Sequence, residues 1–295
     1  MKTMLIITQA ALLIMFSPLI SGFIRKVKNN LRMRRGPSIL QPYYDLAKLL
    51  RKEEVVSKNT SWIFGITPYI ALASSVLAAF LVLAIQPGAL IKDGIVILLA
   101  VLFILSLGRF FLALAGLDAG SAFGGMGSSR EMFISTLIEP VILLAFFVVS
   151  LNAGSTSIAA ISGVHTIRLS AILAAITFFI AMIAETSRIP VDNQETHLEL
   201  TMIHEAMVLE YSGRSLASIE MASHIKQAVL FSILANVILP WQGIAMFIAK
   251  MILISLSISL TEVSVAKMRL FRVTDLASFS FILAVVAVII SSMGF

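Results

Sequence analysis

Long apolar runs alternate with short polar segments along almost the whole chain. An α-helix needs about 20 mainly apolar residues to cross the hydrocarbon core of a bilayer. The pattern therefore predicts an all-α polytopic membrane protein, with about eight transmembrane helices and amphipathic helices on its cytoplasmic side. The predicted spans lie at roughly 4–24, 63–86, 95–117, 131–152, 168–188, 225–240, 244–266 and 277–294.

The overall composition supports a single membrane domain. Of the 295 residues, 59% are hydrophobic and 13% are charged, and the mean hydropathy is +0.99, which is far more apolar than a soluble domain. The first apolar run has no small-residue cleavage site, so we expect a retained helix there. Residues 1–295 are thus predicted to form one domain, with cytoplasmic loops at about 25–60, 118–130, 189–224 and 267–276.

Positive charge is distributed unevenly between alternate loops. Residues 25–59 hold ten Lys and Arg side chains, whereas the loops on the other side hold only Lys2, Lys92 and Arg168. Because Lys and Arg are retained on the cytoplasmic side, both termini are predicted on the outer side of the cytoplasmic membrane. The formal net charge of +6 then reflects topology and attraction to anionic lipid headgroups, and no nucleic acid is expected as a partner.

The chain contains no cysteine. It therefore offers no thiolate ligands for iron–sulfur or nickel centres, and any redox metal chemistry linked to it would reside on another subunit. Its four histidines, His165, His197, His204 and His224, are scattered, so no metal site is predicted.

Carboxylates crowd one stretch in the second half of the chain. Seven of the 16 acidic residues lie within 185–220, between two apolar runs. Charged groups beside hydrocarbon must be solvated, paired or protonated, and burial near other negative charge raises a carboxyl pKa toward neutrality. We therefore predict a proton path. Its candidate members are Glu139 beside Pro140 in the fourth apolar run, and Glu185, Asp192, Glu195, Glu199, Glu205 and Glu210 in the acidic stretch.

The first cytoplasmic loop carries a more specific pattern than a run of charge. It reads Arg34-Arg35-Gly36-Pro37, then Leu40-Gln41-Pro42, then Asp45-Leu46-Ala47-Lys48-Leu49. Pro42 is suited to the first turn of a helix, and the leucines after it are spaced for one helix face. The segment is predicted to form a short amphipathic helix at the membrane interface.

These residues resemble the first cytoplasmic loop of the subunit 1 family of respiratory complex I. In the acidic stretch, Glu185-Thr186-Ser187-Arg188-Ile189-Pro190-Val191-Asp192, Glu199-Leu200 and Glu210-Tyr211-Ser212-Gly213 are similar to that family's E-T-N-R-x-P-x-D, E-L and E-Y-[AS]-G motifs. Two departures touch the region that helps to form the quinone chamber in respiratory relatives. Only Ser38 and Ile39 separate the first two loop elements, whereas the respiratory subunits have a longer linker there. The segment between Leu200 and Glu210 is, conversely, a few residues longer in this chain than in the respiratory subunits.

A third segment distinguishes between branches of this family. Residues 116–131, GLDAGSAFGGMGSSRE, are similar to the homologous subunit of membrane-bound nickel–iron hydrogenases of the formate hydrogenlyase and hydrogenase-4 kind. Its glycines are expected to form a tight loop and, through Gly120 and Gly124, a close helix approach, rather than a nucleotide site. We therefore favour the hydrogenase branch over a quinone-binding subunit.

The resemblance implies a subunit without catalytic residues or a cofactor of its own. Hydrogenase large and small subunits and iron–sulfur subunits, which carry the nickel–iron centre and the clusters, would dock on its cytoplasmic loops. Antiporter-like membrane subunits would adjoin it laterally, and Glu139 and Glu185 match acids of the family's lateral carboxylate channel. Redox chemistry would then drive proton or sodium translocation indirectly. The expected docking residues are Arg34, Arg35, Asp45, Lys48, Asp118, Arg130 and Arg188.

Simpler interpretations of the acids, and other functions, stay open at this point. Glu185 is also explained by a pair with Arg188 three residues on, and Asp192 by capping or solvating the start of a helix. Glu262, in the seventh apolar run, is explained either by a pair with Lys267 or by joining the buried chain of acids. Besides the quinone-binding subunit, the alternatives are a structural anchor and a stand-alone secondary transporter, which predicts internal repeats that we do not find.

Overall fold

The computed structural model describes residues 2–57, 59–83, 94–153, 168–192, 202–238 and 244–293. Within these residues every regular element is an α-helix, as expected where a backbone in hydrocarbon must satisfy its hydrogen bonds within its own segment. The helices are α1 (Lys2–Leu31), α2 (Gln41–Arg51), α3 (Trp62–Leu83), α4 (Gly94–Asp118), α5 (Ala122–Ala153), α6 (Leu169–Glu185), α7 (His204–Val208), α8 (Gly213–Ile238), α9 (Ile244–Ser264) and α10 (Leu270–Ser292).

Six helices in the described ranges are long and apolar enough to span a bilayer, which confirms the polytopic prediction. The predicted span 168–188 is the shorter apolar helix α6, and the predicted span 225–240 is the apolar end of α8, whose first turns are polar. The six spans are Ile7–Leu31, Trp62–Leu83, Ile95–Asp118, Ala122–Asn152, Met246–Ser264 and Leu270–Ser292.

Several helices begin or end beyond the spans that the hydropathy pattern predicts, and α1 and α5 change the loops most. Helix α1 continues to Leu31, so Arg25 and Lys28, expected in a loop, lie on its last turns, where cations oppose the negative end of the helix dipole. Helix α5 begins at Ala122, so most of the predicted loop 118–130 is helical. The hydroxyl of Ser121 accepts a hydrogen bond from the third backbone N–H after it, at 3.2 Å, and so caps this helix.

The helices pack around one main apolar core. Helix α3 lies against α4 and α8, α5 against α6 and α10, and α1 against α8 and α9. Core side chains include Ile138, Met182 and Phe231. The opposite faces expose large apolar side chains such as Phe103 and Ile282, as expected for surfaces that contact lipid or other membrane subunits.

The predicted amphipathic helix is α2. Pro42 stands in its first turn and is buried, and Gln41 donates a hydrogen bond to Asp45 at 3.0 Å. Tyr44 and Leu50 are exposed. Because α2 packs on α1 and α8, one face of α2 contacts the bundle and the opposite face lies on the protein surface.

Close backbone contact holds the start of α5 against the end of α4. A Cβ on Gly124 would lie 2.3 Å from the carbonyl oxygen of Gly116, whereas a Cβ on Gly125 would meet nothing within 4 Å. Gly120 has a φ of 64° and forms the turn between the two helices. The close approach therefore joins Gly116 and Gly124. The prediction that it joins Gly120 and Gly124 was wrong, because Gly120 lies in the turn itself.

Replacing Gly124 by Ala is expected to destabilise the fold, because the new Cβ would overlap a backbone atom that cannot rotate away. Overpacking of this kind costs about 1–3 kcal/mol and would lower the thermal unfolding midpoint of the detergent-solubilised protein. Gly125→Ala is the matched control. Equal midpoints for the two variants would contradict the assigned contact.

Candidate functional site

One guanidinium joins two carboxylates inside the bundle. Arg109 lies in the apolar helix α4 and is 7% exposed. Its Nη1 donates to Glu185 Oε2, at the end of α6, at 2.5 Å, and its Nη2 donates to Glu139 Oε1 on α5. Ser106, one turn before Arg109, donates to the same Glu139 oxygen at 2.7 Å. A single side chain thus links three helices.

A second cation balances Glu185. Lys226 Nζ, on α8, lies 2.8 Å from Glu185 Oε1. These two cations and two carboxylates form a neutral set, here called the Arg109 cluster (Arg109, Glu139, Glu185 and Lys226). Neutrality matters because removing one partner from a buried ion pair costs several kcal/mol.

Glu139 is the member of the Arg109 cluster that reaches the surface of the bundle. Its side chain is 34% exposed, against 2% for Glu185. Exposed apolar residues such as Phe133 and Phe147 lie along the same helix, and Pro140 removes a donor from the helix next to the acid. The cluster therefore extends from the interior to a lateral face of α5.

A second ionic cluster lies between α1, α8 and α9. Glu262 on α9 is 3% exposed. It accepts a hydrogen bond from Arg188 at 2.7 Å and lies 3.1 Å from Lys28 Nζ. Arg188 also donates to Gln227 on α8 at 2.9 Å. This set is called the Glu262 cluster (Lys28, Arg188, Gln227 and Glu262).

Of the two alternatives for Glu262, the pair with Lys267 is not formed. Lys267 Nζ lies 3.1 Å from Asp192 Oδ1 instead. The other oxygen of Asp192 accepts the backbone N–H groups of Ile203 and His204, each at 3.1 Å. Asp192, predicted on the proton path, is therefore a buried acid that holds the start of α7 beside Lys267.

The alternative pair of Glu185 with Arg188 is not formed either. Helix α6 ends at Glu185, so Arg188 lies in the turn that follows and does not share a helix face with Glu185. Glu185 belongs to the Arg109 cluster, and Arg188 belongs to the Glu262 cluster. Neither pairing is readable from the sequence, because the partners of Glu185 and Arg188 are 30 or more positions away.

Three cavities lined by described residues adjoin these groups. The Arg109 cavity, of about 70 Å³, also contains Glu131, which is 8% exposed. Sequence reasoning did not place Glu131 on the path, although the Arg130-Glu131 end of the glycine-rich motif was a signal for it. The Glu262 cavity has about 30 Å³. The largest, the Glu205 cavity, has about 250 Å³ and lies beside α2.

The remaining predicted path acids differ in environment. Glu205 is half-buried and lines the Glu205 cavity, whereas Glu210 is exposed. Glu195 and Glu199 lie outside the described residues.

Glu220, on the polar first turns of α8, also lines the Glu205 cavity. Burial is the main cause that raises the pKa of Glu220 to about 7. The negative charges of Glu205 and Asp45 also raise this pKa, whereas the positive charge of Arg25 lowers it. Glu220 therefore titrates near neutral pH. No motif in the sequence signals this, since the burial of Glu220 depends on how α2 covers α8.

The predicted docking residues fall into two groups. Arg34, Arg35 and Lys48 are exposed. Asp118 accepts a backbone N–H from the loop before α3 at 2.7 Å, and Arg130 donates to a backbone carbonyl just before α7 at 3.2 Å. Asp45 is half-buried, and Arg188 is 8% exposed inside the Glu262 cluster.

Comparison with known proteins identifies the family. Residues 2–292 match the protein family described as NADH dehydrogenase. The chain belongs to this family. Hydrogenase-4 component C of Escherichia coli K12 is 33% identical over 300 residues, covering 95% of this chain and 93% of that protein. Formate hydrogenlyase subunit 4 of the same organism is 32% identical over 264 residues, covering 87% and 84%.

A respiratory relative and a solved structure extend the comparison within the NADH dehydrogenase family. A subunit of the NADH-quinone oxidoreductase of Anaplasma phagocytophilum is 32% identical over 217 residues, 65% of this chain and 63% of that protein. A chain of the membrane-bound sulfane sulfur reductase, an archaeal respiratory membrane complex, has the same fold, with a TM-score of 0.82 over 97% of this chain and 99% of that chain at 20% identity. The resemblance to complex I subunit 1 is confirmed, and the chain is a multi-pass membrane subunit of the complex I-like hydrogenase or respiratory kind.

Arg109→Gln is expected to destabilise this NADH dehydrogenase-family fold by about 3–5 kcal/mol, because two carboxylates lose their shared cation. Adding Glu139→Gln should recover part of that loss, because Glu185 and Lys226 then remain as an intact ion pair and no unpaired carboxylate is left. Unfolding midpoints of the two single variants and the double variant measure the coupling. Arg214→Gln, at an exposed position of α8, is the control, and strictly additive losses would contradict the cluster.

Glu220→Gln is expected to stabilise the protein at pH 8 but not at pH 4.5. The pKa is higher in the folded chain, about 7, than its ordinary value of 4.5, so the stability contributed by protonated Glu220 is complete below about pH 4.5 and lost as the pH rises to about 7. The unfolding midpoint against pH measures this. Glu210→Gln, at an exposed position, is the control and should keep the wild-type dependence of the unfolding midpoint on pH. If Glu220→Gln also keeps the wild-type dependence, burial of Glu220 does not raise its pKa as assigned.

Proposed function

We propose that this chain is the membrane-anchoring and ion-coupling subunit of a complex I-like membrane-bound nickel–iron hydrogenase. Its similarity to hydrogenase-4 component C and formate hydrogenlyase subunit 4 runs through most of its length, whereas the NADH-quinone oxidoreductase relative aligns with a shorter part. The glycine-rich turn between α4 and α5 supports the same branch.

The proposed partners occupy two different surfaces. Hydrogenase large and small subunits and iron–sulfur subunits would dock near α2, where Arg34, Arg35 and Lys48 offer exposed positive charge. Because the chain has no cysteine, the nickel–iron centre and the clusters would be held by those partners. Antiporter-like membrane subunits would cover the lateral face around Glu139.

The proposed location is the cytoplasmic membrane, with both termini on the outer side. The charge distribution between alternate loops supports this orientation. It puts α2, the Glu205 cavity and the ends of α1 and α6 on the cytoplasmic side, where the soluble arm would dock.

The contact of Arg109 with both Glu139 and Glu185 carries the proposal. When one guanidinium serves two carboxylates, their protonation states depend on each other, because a proton on one acid leaves the cation to the other. A change of charge next to Glu185 therefore alters the proton affinity of Glu139. This is the property that indirect coupling requires.

The proposed path begins at the docking surface. A change of charge in the soluble arm would alter hydrogen bonds around the Glu205 cavity, which lies beside α2. Lys226 on α8 and Glu185 on α6 would pass the change to Arg109. Glu139 would then exchange its proton, or a sodium ion, with the lateral partner.

A quinone-binding role is the second candidate, because an NADH-quinone oxidoreductase subunit is among the relatives. Ligand pockets of about 300–1,000 Å³ lined mainly by apolar groups are typical of such molecules. The Glu205 cavity is smaller, at about 250 Å³, and its lining includes Arg25, Asp45, Lys48 and Lys52. Detection of stoichiometric bound quinone in the purified complex, or inhibition of the complex by quinone analogues, would favour the quinone-binding role over the hydrogenase role.

Glu139→Gln in the assembled complex is expected to uncouple ion movement from hydrogen evolution, because the amide keeps the size of the side chain but cannot ionise. Hydrogen evolution and ion uptake, measured together in inside-out vesicles, should show a fall of about tenfold in ions moved per hydrogen, equivalent to about 1.4 kcal/mol. Asp275→Asn, at an exposed position of α10, is the control. An unchanged ratio in Glu139→Gln would remove Glu139 from the path.

A further inference from the structure

Ser223 lies where the three cavities meet. The Arg109 cavity, the Glu205 cavity and the Glu262 cavity each include Ser223 in their walls, and it is the one described residue common to all three. It stands on α8, three positions after Glu220 and three before Lys226. One small side chain therefore borders the route from the Glu205 cavity to both ionic clusters.

The Ser223 hydroxyl is free to bind water. Two other serines on α8 satisfy their hydroxyls on the helix itself, since Ser218 donates to the Arg214 carbonyl at 3.0 Å and Ser232 to the Val229 carbonyl at 2.7 Å, and Ser215 donates to Glu54. Among the described residues, Ser223 forms no such hydrogen bond. A half-buried hydroxyl facing polar cavities satisfies its hydrogen bonds with water.

Unsatisfied polar atoms around the Glu262 cavity point to water as well. Arg188 Nε and Gln227 Nε2 are buried and have no hydrogen-bond partner within the described part of the chain. Both side chains line this cavity, whose volume of about 30 Å³ exceeds the roughly 10–15 Å³ that a cavity needs to hold a water. Buried donors of this kind are costly unless water satisfies them.

We infer that Ser223 is the junction of a branched, hydrated route, and that its small side chain keeps the route open between the Glu205 cavity and both ionic clusters. One branch reaches Glu185 through the Arg109 cavity, and the other reaches Glu262. His204 and Ile219 also border the Arg109 and Glu205 cavities, but neither borders the Glu262 cavity. The inference rests on the proposed function for its effect on coupling, whereas the hydration itself does not.

A size series at position 223 tests the junction. Ser223→Ala keeps the space and is expected to keep the ratio of ions moved per hydrogen, whereas Ser223→Leu fills the space and should lower it about tenfold, equivalent to about 1.4 kcal/mol. Ser218→Leu on the same helix borders none of the three cavities and serves as the control for a leucine on α8. A normal ratio in Ser223→Leu when Glu139→Gln uncouples the complex, or an equal loss in Ser223→Ala, would overturn the inference.

A cysteine at the same position covers the case in which Ser223→Leu does not assemble. The chain has no native cysteine, so Ser223→Cys gives this subunit one thiol that can be followed by mass spectrometry in the assembled complex. A small water-soluble methanethiosulfonate should label it and, by adding bulk after assembly, reduce the ratio as Ser223→Leu does. No labelling, or labelling without loss of coupling in a complex that Glu139→Gln uncouples, would overturn the inference.

The two proposals fail in different ways. If Glu139→Gln uncouples the complex and Ser223→Leu does not, the junction is wrong and the proposed function stands. If the thiol at 223 is labelled but neither Glu139→Gln nor Ser223→Leu changes the ratio, the route is hydrated and the proposed function is wrong.

Discussion

A charge inside a bilayer needs an opposite charge close by, and the packing of this bundle depends on that requirement. Arg109 is the plainest case, because it lies in an apolar helix and would be prohibitively costly without its two carboxylates. Its contacts form only when α4, α5 and α6 lie in one mutual arrangement, and Lys226 adds α8 to the set. The same ion pairs therefore position the helices, and in the proposed function they also couple the protonation of Glu139 to that of Glu185.

Helix α8 connects the two ionic clusters. Lys226 belongs to the Arg109 cluster and the next residue, Gln227, to the Glu262 cluster. The first turns of α8 meanwhile border the Glu205 cavity and pack on α2. A displacement of α2 by a docked partner would act on α8 first, and through it on both clusters.

Sequence reasoning found the helices because a span must be both long and apolar, and it found Glu139 and Glu185 because an acid in such a run is costly. It could not find their partners. The ion pair of Lys28 with Glu262 joins the first membrane span to the next-to-last one, and no local spacing reveals it. Short spacing along the chain instead suggested Arg188 as the partner of Glu185 and Lys267 as the partner of Glu262. Because α6 ends at Glu185, Arg188 does not lie on the same helix face as Glu185. The contact of Gly116 with Gly124 was missed for a similar reason, since the two glycines lie on different helices, whereas the G-x-x-x-G spacing suggested Gly120 as the partner of Gly124.

The central claim is that the protonation of Glu139 is coupled to the charge around Glu185, through their shared contact with Arg109, while the complex works. Infrared difference spectra of the assembled complex, recorded between resting and reducing conditions in H₂O and D₂O, test it most directly. We predict a protonated-carboxyl band that appears on reduction, shifts in D₂O and is missing when Glu139 is replaced by Gln. A spectrum without any change in carboxyl protonation, or one unaffected by that replacement, would contradict it.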